Sequence, residues 1–295
     1  MRSLRAVWIH SWSAGTSLRW PATSFSGTRS VSSPRAATGN PLAVVLDATG
    51  LDDEAMQTFA GWTNLSETTF LFPPTDPAAD YRVRIFTAVG ELPFAGHPTL
   101  GSAHAWLAAG NSPHRPGHLV QECGVGLVHL RLVGDRPAFA APPRRRTGPL
   151  DEAHLAIAEA ALGTPRTHWV AHEWGDNGAP WMMIELADAE SVRRAWVDRT
   201  QLGRHDHLGL VGRFAGGAYA YEVRGILAHT EDPVTGSLNA SVAQWLRSRA
   251  AVPATYVATQ GSQVGRHGEV FVTDDGTDIW IAGRVRTVVT GQAYL

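Results

Sequence analysis

Hydrophobic positions recur along the chain with two different periods, which predict helices in some segments and strands in others. Apolar spacings of three and four residues predict helices over residues 52–62, 97–107, 152–162 and 237–246. Short alternating or continuous apolar runs predict strands over residues 41–47, 64–72, 269–272, 279–281 and 286–289. Gly124 and Gly126 interrupt a further strand-forming stretch over residues 120–133. The pattern indicates a protein that mixes helices with sheet.

The segment from Tyr81 to Gly96 recurs, without a gap, as the segment from Tyr221 to Gly236. The residue numbers of the two copies differ by 140 throughout. The identical pairs are Tyr81 and Tyr221, Val83 and Val223, Arg84 and Arg224, Ala88 and Ala228, Glu91 and Glu231, Pro93 and Pro233, and Gly96 and Gly236. Each copy predicts an alternating strand, a proline-containing turn, a glycine and a helix. This internal repeat favours a chain built from two similar lobes.

A glycine stands before each of the two repeated helices, at Gly96 and Gly236. Glycine lets a ligand approach the backbone, and the first turn of a helix presents unpaired N–H groups at its positive end. Two such ends facing one cleft would bind an anion. Each glycine alone also fits an ordinary helix start, and Ser237 is a favoured N-cap residue type. Their equivalent places in a repeated chain favour a ligand site between the lobes.

Length supports the same division, because 295 residues and 31.7 kDa exceed what one hydrophobic core usually serves. We expect the first lobe over residues 39–141, completed by residues 285–295, and the second over residues 142–284. The arginine-rich linker Pro142–Arg146 marks the boundary. Residues 1–38 carry arginines among Ser, Thr and Trp and no acidic residue, so we expect a poorly ordered extension, a targeting segment or a misassigned start.

The composition limits which kinds of partner and which kinds of reaction are possible. The net charge of −2 offers no basic field for nucleic acid, and no apolar run is long enough to cross a membrane. Cys123 is the only cysteine, which excludes an intrachain disulfide and favours a cytoplasmic protein. The chain contains no lysine, which excludes pyridoxal phosphate chemistry and a Walker-A phosphate loop.

Three residues are candidates for chemistry, and each also has a plain structural explanation. Glu67 opens an apolar strand, where it is either a general base or a surface glutamate. Asp232 precedes Pro233, where it is either a functional group or part of an ordinary Asx turn. His97 begins a helix, where it is either a hydrogen-bond donor to a ligand or a capping residue.

Metal binding is not predicted, although some histidines are closely spaced. His168 and His172 are four residues apart, and His205 and His207 flank Asp206. Thirteen histidines produce such pairs by chance, and neither group lies in a metal-binding motif.

Four ordered stretches of the chain resemble the signature motifs of the PhzF-like phenazine biosynthesis family. These stretches are residues 39–45, 64–68, 91–101 and 231–237. With residues 121–124 and the tail, the resemblance covers residues 39–295. It implies a diaminopimelate epimerase-like α/β (α+β) fold of two pseudo-symmetric lobes, each a mixed barrel-like sheet around a central helix. It also implies a homodimer that needs neither metal nor organic cofactor.

The resemblance further implies a cofactor-independent isomerase that moves a proton on a small carboxylate-bearing substrate, of the trans-2,3-dihydro-3-hydroxyanthranilate isomerase type. Glu67 would be the catalytic acid/base, with His97 and Asp232 beside it. The expected substrate-binding residues are Asn40, Ser66, Gly96, Gly236 and Ser237. The related epimerases use two cysteines, which this chain lacks, so a one-base reaction is favoured. A cofactor-free epimerase using Glu67 and Asp232, or a non-catalytic binder of small acids, are the alternatives.

Residues 1–38 depart from the family pattern. The family normally begins with a strand that runs directly into the Gly-Asn-Pro motif, which is Gly39-Asn40-Pro41 here. If residues 1–38 supply no such strand, the first sheet lacks one pairing partner.

Overall fold

The computed structural model describes residues 3–11, 39–134 and 136–294. Within these residues, seventeen strands join in one hydrogen-bonded network, together with five α-helices. The first half contains β1 (Ser3–Ser11), β2 (Asn40–Val45), α1 (Asp53–Thr63), β3 (Glu67–Phe72), β4 (Tyr81–Phe86), β5 (Glu91–Leu92), α2 (Gly96–Ala108), β6 (His118–Cys123), β7 (Gly126–Val133) and β8 (Arg136–Ala140).

The second half repeats this order of strands. It contains α3 (Glu152–Leu162), β9 (Ala171–Asp176), β10 (Pro180–Glu185), α4 (Ala189–Arg194), β11 (His207–Arg213), β12 (Tyr221–Leu227), β13 (Glu231–Asp232), α5 (Gly236–Ser248), β14 (Thr255–Gln260), β15 (Gly268–Asp274) and β16 (Ile279–Ala282). Short 3₁₀ helices lie at Arg166–His168, Arg199–Gln201 and Ser262–Val264. The last strand, β17 (Val285–Tyr294), returns to the first half.

Strand pairing repeats as well as strand order. β2 pairs parallel to β3, which pairs antiparallel to β4, and β4 pairs parallel to β6. β10, β11, β12 and β14 pair in the same senses. The β6–β7–β8 meander likewise matches β14–β15–β16. The sequence repeat therefore extends over whole halves, which join where β8 pairs with β16.

The helices predicted from apolar spacing are present as α1, α2, α3 and α5, with ends that differ by at most two residues. Two of the five α-helices are central in the fold, and the other three are peripheral. Leu100 of α2 and Leu238 of α5 belong to one shared core, whereas α1 packs on one separate cluster and α3 and α4 on another. No helix in the described part of the chain is long and apolar enough to cross a membrane.

Ser3–Ser11 lie within the stretch that the sequence predicted to be a poorly ordered extension, and they form a strand instead. These residues form β1, which pairs antiparallel with β2 on one side and β17 on the other. Ala6 is buried beside α1, and Ile9 is buried in the shared core, so burial on both faces stabilises the strand. Residues 12–38 lie outside the described residues. The boundary expected at Pro142–Arg146 follows β8, and the division at residues 141 and 142 stays a prediction.

Candidate active site

The central helices α2 and α5 meet at their first residues, Gly96 and Gly236. A Cβ atom added to Gly236 would lie 2.7 Å from the Cα of Gly96, and one added to Gly96 would lie 2.8 Å from the Cα of Gly236. Only glycine allows this approach of two backbones. The positive ends of two helices from different halves therefore lie side by side.

These two helix ends lack the side-chain caps that the other α-helices have. Asp52, Asp151 and Asp188 cap α1, α3 and α4, each accepting a hydrogen bond from a backbone N–H of the first turn. The N-cap residues of α2 and α5 are Ala95 and Thr235, and neither makes a side-chain capping bond. Ser237 is the second residue of α5 and not its N-cap. The first turns of α2 and α5 are thus open to an anionic ligand.

Glu67 reaches one of these helix ends from the first residue of β3. Ser102 of α2 donates to Thr69 over 3.0 Å, which shows that alternate residues of β3 face that helix. Glu67 Oε2 lies 3.0 Å from His97 Nε2, and the two side chains are 15% and 4% exposed. The contact lacks hydrogen-bond geometry, and among the described residues neither atom has another partner. The carboxylate can therefore act on a bound molecule.

Asn40 links His97 to Asp232, although Asn40 and Asp232 are 192 residues apart. The Asn40 amide donates to Asp232 Oδ1 over 2.8 Å and to the Val234 carbonyl over 3.0 Å, and it lies 3.2 Å from His97 Nδ1. Thr235 donates to the other oxygen of Asp232 over 2.7 Å. Both halves of the chain thus fix the orientation of the His97 ring.

Burial and neighbouring charges shift the pKa values of His97 and Asp232 in this cluster. Burial lowers the pKa of His97, but the carboxylates of Glu67 and Asp232 and the Pro41 carbonyl outweigh it, so the net shift is upward. Burial and the charge of Glu67 raise the pKa of Asp232 to about 6, against the opposing effects of His97, Thr235 and Asn40. Asp232 therefore holds its proton to a higher pH than an ordinary aspartate does.

The remaining predicted site residues lie at the edges of this cluster. The hydroxyl oxygen of Ser237 accepts a hydrogen bond from the Trp181 indole over 3.0 Å, and its carbonyl accepts one from the Asn177 amide over 2.9 Å. Ser66 is half-buried and immediately precedes Glu67. The structure brings Glu67, His97, Asn40 and Asp232 into contact through the links above, whereas Ser66 adjoins them along the chain.

Sequence analysis missed Asn177 and Trp181. A second stretch of the repeat could have indicated them. Gly178-Ala179-Pro180 aligns with Gly39-Asn40-Pro41, and the residue numbers differ by 139. The two prolines occupy strands with the same pairing, β2 and β10. In the described residues, no three His, Cys, Asp or Glu side chains are grouped to hold a metal ion.

Known proteins match the chain over nearly its whole length. A trans-2,3-dihydro-3-hydroxyanthranilate isomerase from Pseudomonas aeruginosa is 31% identical over 272 residues, which cover 87% of this chain and 94% of that protein. Antisense-enhancing sequence 1 of Schizosaccharomyces pombe is 32% identical over 281 residues, with the same two shares covered.

A solved structure matches as well. The crystal structure of a phenazine biosynthesis protein of the PhzF family from Enterococcus faecalis superposes with a TM-score of 0.75 at 22% identity, and the match covers 100% of both chains. It confirms the predicted fold class. The model of the family described as phenazine biosynthesis-like protein matches residues 31–295. The chain therefore belongs to the PhzC-PhzF family of phenazine biosynthesis-like proteins, as its motifs predicted.

Proposed function

We propose that this protein is a cofactor-independent isomerase in which Glu67 moves a proton between two carbons of a small carboxylate-bearing substrate. The observation that carries the proposal is the convergence of Glu67, His97 and Asp232 beside two uncapped helix ends. An acid/base group and an anion site thus lie within one junction of the two halves.

The substrate carboxylate binds at the first turns of α2 and α5. Backbone N–H groups donate to its oxygens, and the helix ends favour its negative charge. This contact fixes the reacting carbon beside Glu67, and such positioning turns proton transfer into a step within the complex. The same donors stabilise the charge that develops when the proton leaves, an effect of about 10²–10³ in rate for one donor.

Glu67 removes a proton from one carbon and returns it to another, so the product is an isomer of the same mass. His97 lies 3.2 Å from the Asn40 amide on one side and 3.0 Å from the Glu67 carboxylate on the other, so it is placed to orient that carboxylate. Asp232 accepts hydrogen bonds at both oxygens from Asn40 and Thr235. It is therefore a positioning group for His97 rather than a second base.

This geometry argues against the epimerase alternative. Two-base epimerisation needs an available base on each face of one carbon, whereas both oxygens of Asp232 already accept hydrogen bonds from Asn40 and Thr235. The alternative of a non-catalytic binder predicts no proton exchange, and the test below separates it.

The first substrate to test is trans-2,3-dihydro-3-hydroxyanthranilate, for which the Pseudomonas aeruginosa relative is named. It carries the carboxylate that the helix ends require and a saturated carbon from which a proton can leave. The homodimer and the cytoplasmic location expected from the sequence stay predictions, and light scattering of the purified chain would test the first.

Deuterium incorporation from D₂O during turnover of this substrate tests the proposal. The wild-type protein should place solvent deuterium in the product, because the proton held by Glu67 exchanges with D₂O before the carboxyl returns one to carbon. Glu67→Gln should lower the rate of isomer formation at least about a hundredfold, because the general base is lost. Glu54→Gln, an exposed glutamate on α1, is the matched control and should keep the wild-type rate. Near-normal incorporation by Glu67→Gln would remove Glu67 from this role.

A further inference from the structure

The second half has its own pair of residues at the positions of Leu42 and Glu67. In the first half Leu42 of β2 stands opposite Glu67 of β3, and in the second half Trp181 of β10 stands opposite His207 of β11. Gly209, two residues after His207, lies against Leu238, so this face of β11 is turned toward α5. Trp181 is thus the counterpart of Leu42, and His207 is the counterpart of Glu67.

The indole of Trp181 fixes the hydroxyl group of Ser237. Its Nε1 lies 3.0 Å from Ser237 Oγ, and Trp181 is 3% exposed. An indole N–H can only donate, so the serine oxygen accepts and its own hydrogen remains free to donate elsewhere. Asn177 holds the carbonyl of the same serine, which leaves the backbone of this turn little freedom.

We propose that Trp181 is a positioning residue that holds the Ser237 hydroxyl as a hydrogen-bond donor to the substrate carboxylate. This inference rests on the proposed function, since it assigns the carboxylate to the junction of α2 and α5. The Ser237 hydroxyl belongs to the first turn of α5, whose backbone N–H groups would bind the same carboxylate. Glu67 acts from the first half, and the donor comes from the second.

His207 supports this indole. Their ring centroids lie 5.1 Å apart with the planes tilted by 40°. Burial lowers the pKa of His207, as do His205 and His229, against the opposing charges of Asp206 and Asp176. The ring is therefore neutral at physiological pH, and it packs on Trp181 without adding a charge that would compete for the carboxylate.

Binding of 3-hydroxyanthranilate, the aromatic analogue without a saturated carbon, tests the inference by calorimetric titration. Trp181→Phe keeps an aromatic ring but removes the N–H, and we expect it to weaken Kd about tenfold, the effect of one hydrogen bond to a charged group. Ser237→Ala should weaken binding by a similar factor. The double variant should bind no more weakly than Ser237→Ala, because both changes remove one interaction.

A tryptophan elsewhere in the second half gives the matched control. Trp169 is also buried, and among the described residues its indole nitrogen has no partner. Trp169→Phe should therefore leave Kd unchanged. Urea unfolding of each variant checks that it folds. Unchanged binding by Trp181→Phe, or additive losses in the double variant, would overturn the inference.

A change in the ligand tells a positioning role from a merely structural one. When a carboxamide replaces the carboxylate of the probe, binding to the wild-type protein should weaken strongly. Trp181→Phe should then raise Kd for the carboxamide only slightly further. Equal losses with both probes would mean that Trp181 only supports the fold. If Glu67→Gln keeps exchange while Trp181→Phe and Ser237→Ala weaken binding together, the proposed function fails and this inference stands. The reverse result would reject this inference alone.

Discussion

The two halves of the chain share their framework and differ where they meet. Tyr81 and Tyr221 are both buried, and Gly96 and Gly236 touch. At the equivalent site positions, the first half has Glu67, His97 and Leu92, and the second half has His207, Ser237 and Asp232. The halves thus share buried framework residues, whereas the polar side chains at the junction differ between them. This asymmetry fits the proposed one-base reaction, in which the first half would supply the base and the second half the fixed donor.

One repeated pair also shows how burial changes the value of the same contact. Arg84 binds both oxygens of Glu91, and Arg224 binds both oxygens of Glu231. The first pair is 24% and 42% exposed, whereas the second is 7% and 11% exposed. Arg224 also donates to carbonyls at the end of α4, which ties that helix to β12.

The largest expected difference between the halves comes from removing these arginines. Arg224→Ala should lower the free energy of unfolding by about 3 kcal/mol or more, because it leaves a buried carboxylate and helix carbonyls without a partner. Arg84→Ala should cost about 1 kcal/mol or less, because water replaces the arginine. Urea denaturation of both variants measures the difference. Equal losses would show that the halves do not differ in this way.

The glycine contact that joins the halves gives the next largest effect. Gly236→Ala should lower the free energy of unfolding by about 1–3 kcal/mol, because its Cβ would meet the backbone of Gly96. Gly90→Ala is the matched control, since a Cβ there meets nothing within 4 Å, and its effect should be close to zero. Thermal and urea unfolding measure both. A stable Gly236→Ala variant would mean that α2 and α5 can separate without cost.

The smallest effect concerns Asp232, whose counterpart in the first half is the apolar Leu92. Its pKa is raised from 3.8 to about 6, so the folded state binds the proton more tightly than the unfolded state. That stabilisation is complete below about pH 4 and is lost as the pH rises through about 6. The stability of Asp232→Asn relative to wild type should therefore increase by about 1–2 kcal/mol between pH 4 and pH 7, a value reduced for partial exposure.

Urea unfolding at both pH values measures this change. Glu54→Gln, on the exposed face of α1, should show no such dependence. A pH-independent difference for Asp232→Asn would place its carboxyl in a more hydrated setting than the structure shows.

Local sequence was sufficient for the elements whose apolar pattern is strong. The predicted helix over residues 152–162 coincides with α3, and the uninterrupted repeat located α2 and α5. Strand β1 was missed because a strand is stabilised by the strands beside it. Its two neighbours are distant in sequence, since β2 begins at Asn40 and β17 lies at the other end of the chain. Motif resemblance also named Glu67, His97 and Asp232 before any contact between them was known.

The sequence by itself determined that the chain has two similar halves, which segments form their central helices, and which polar residues are candidates for chemistry. Only the tertiary structure decided that Asn40 bonds Asp232, that Gly96 touches Gly236 and that Trp181 holds Ser237. The physical reason is range. Periodicity and capping act within a few residues, whereas each of these contacts depends on how the two halves pack against each other or how distant strands align.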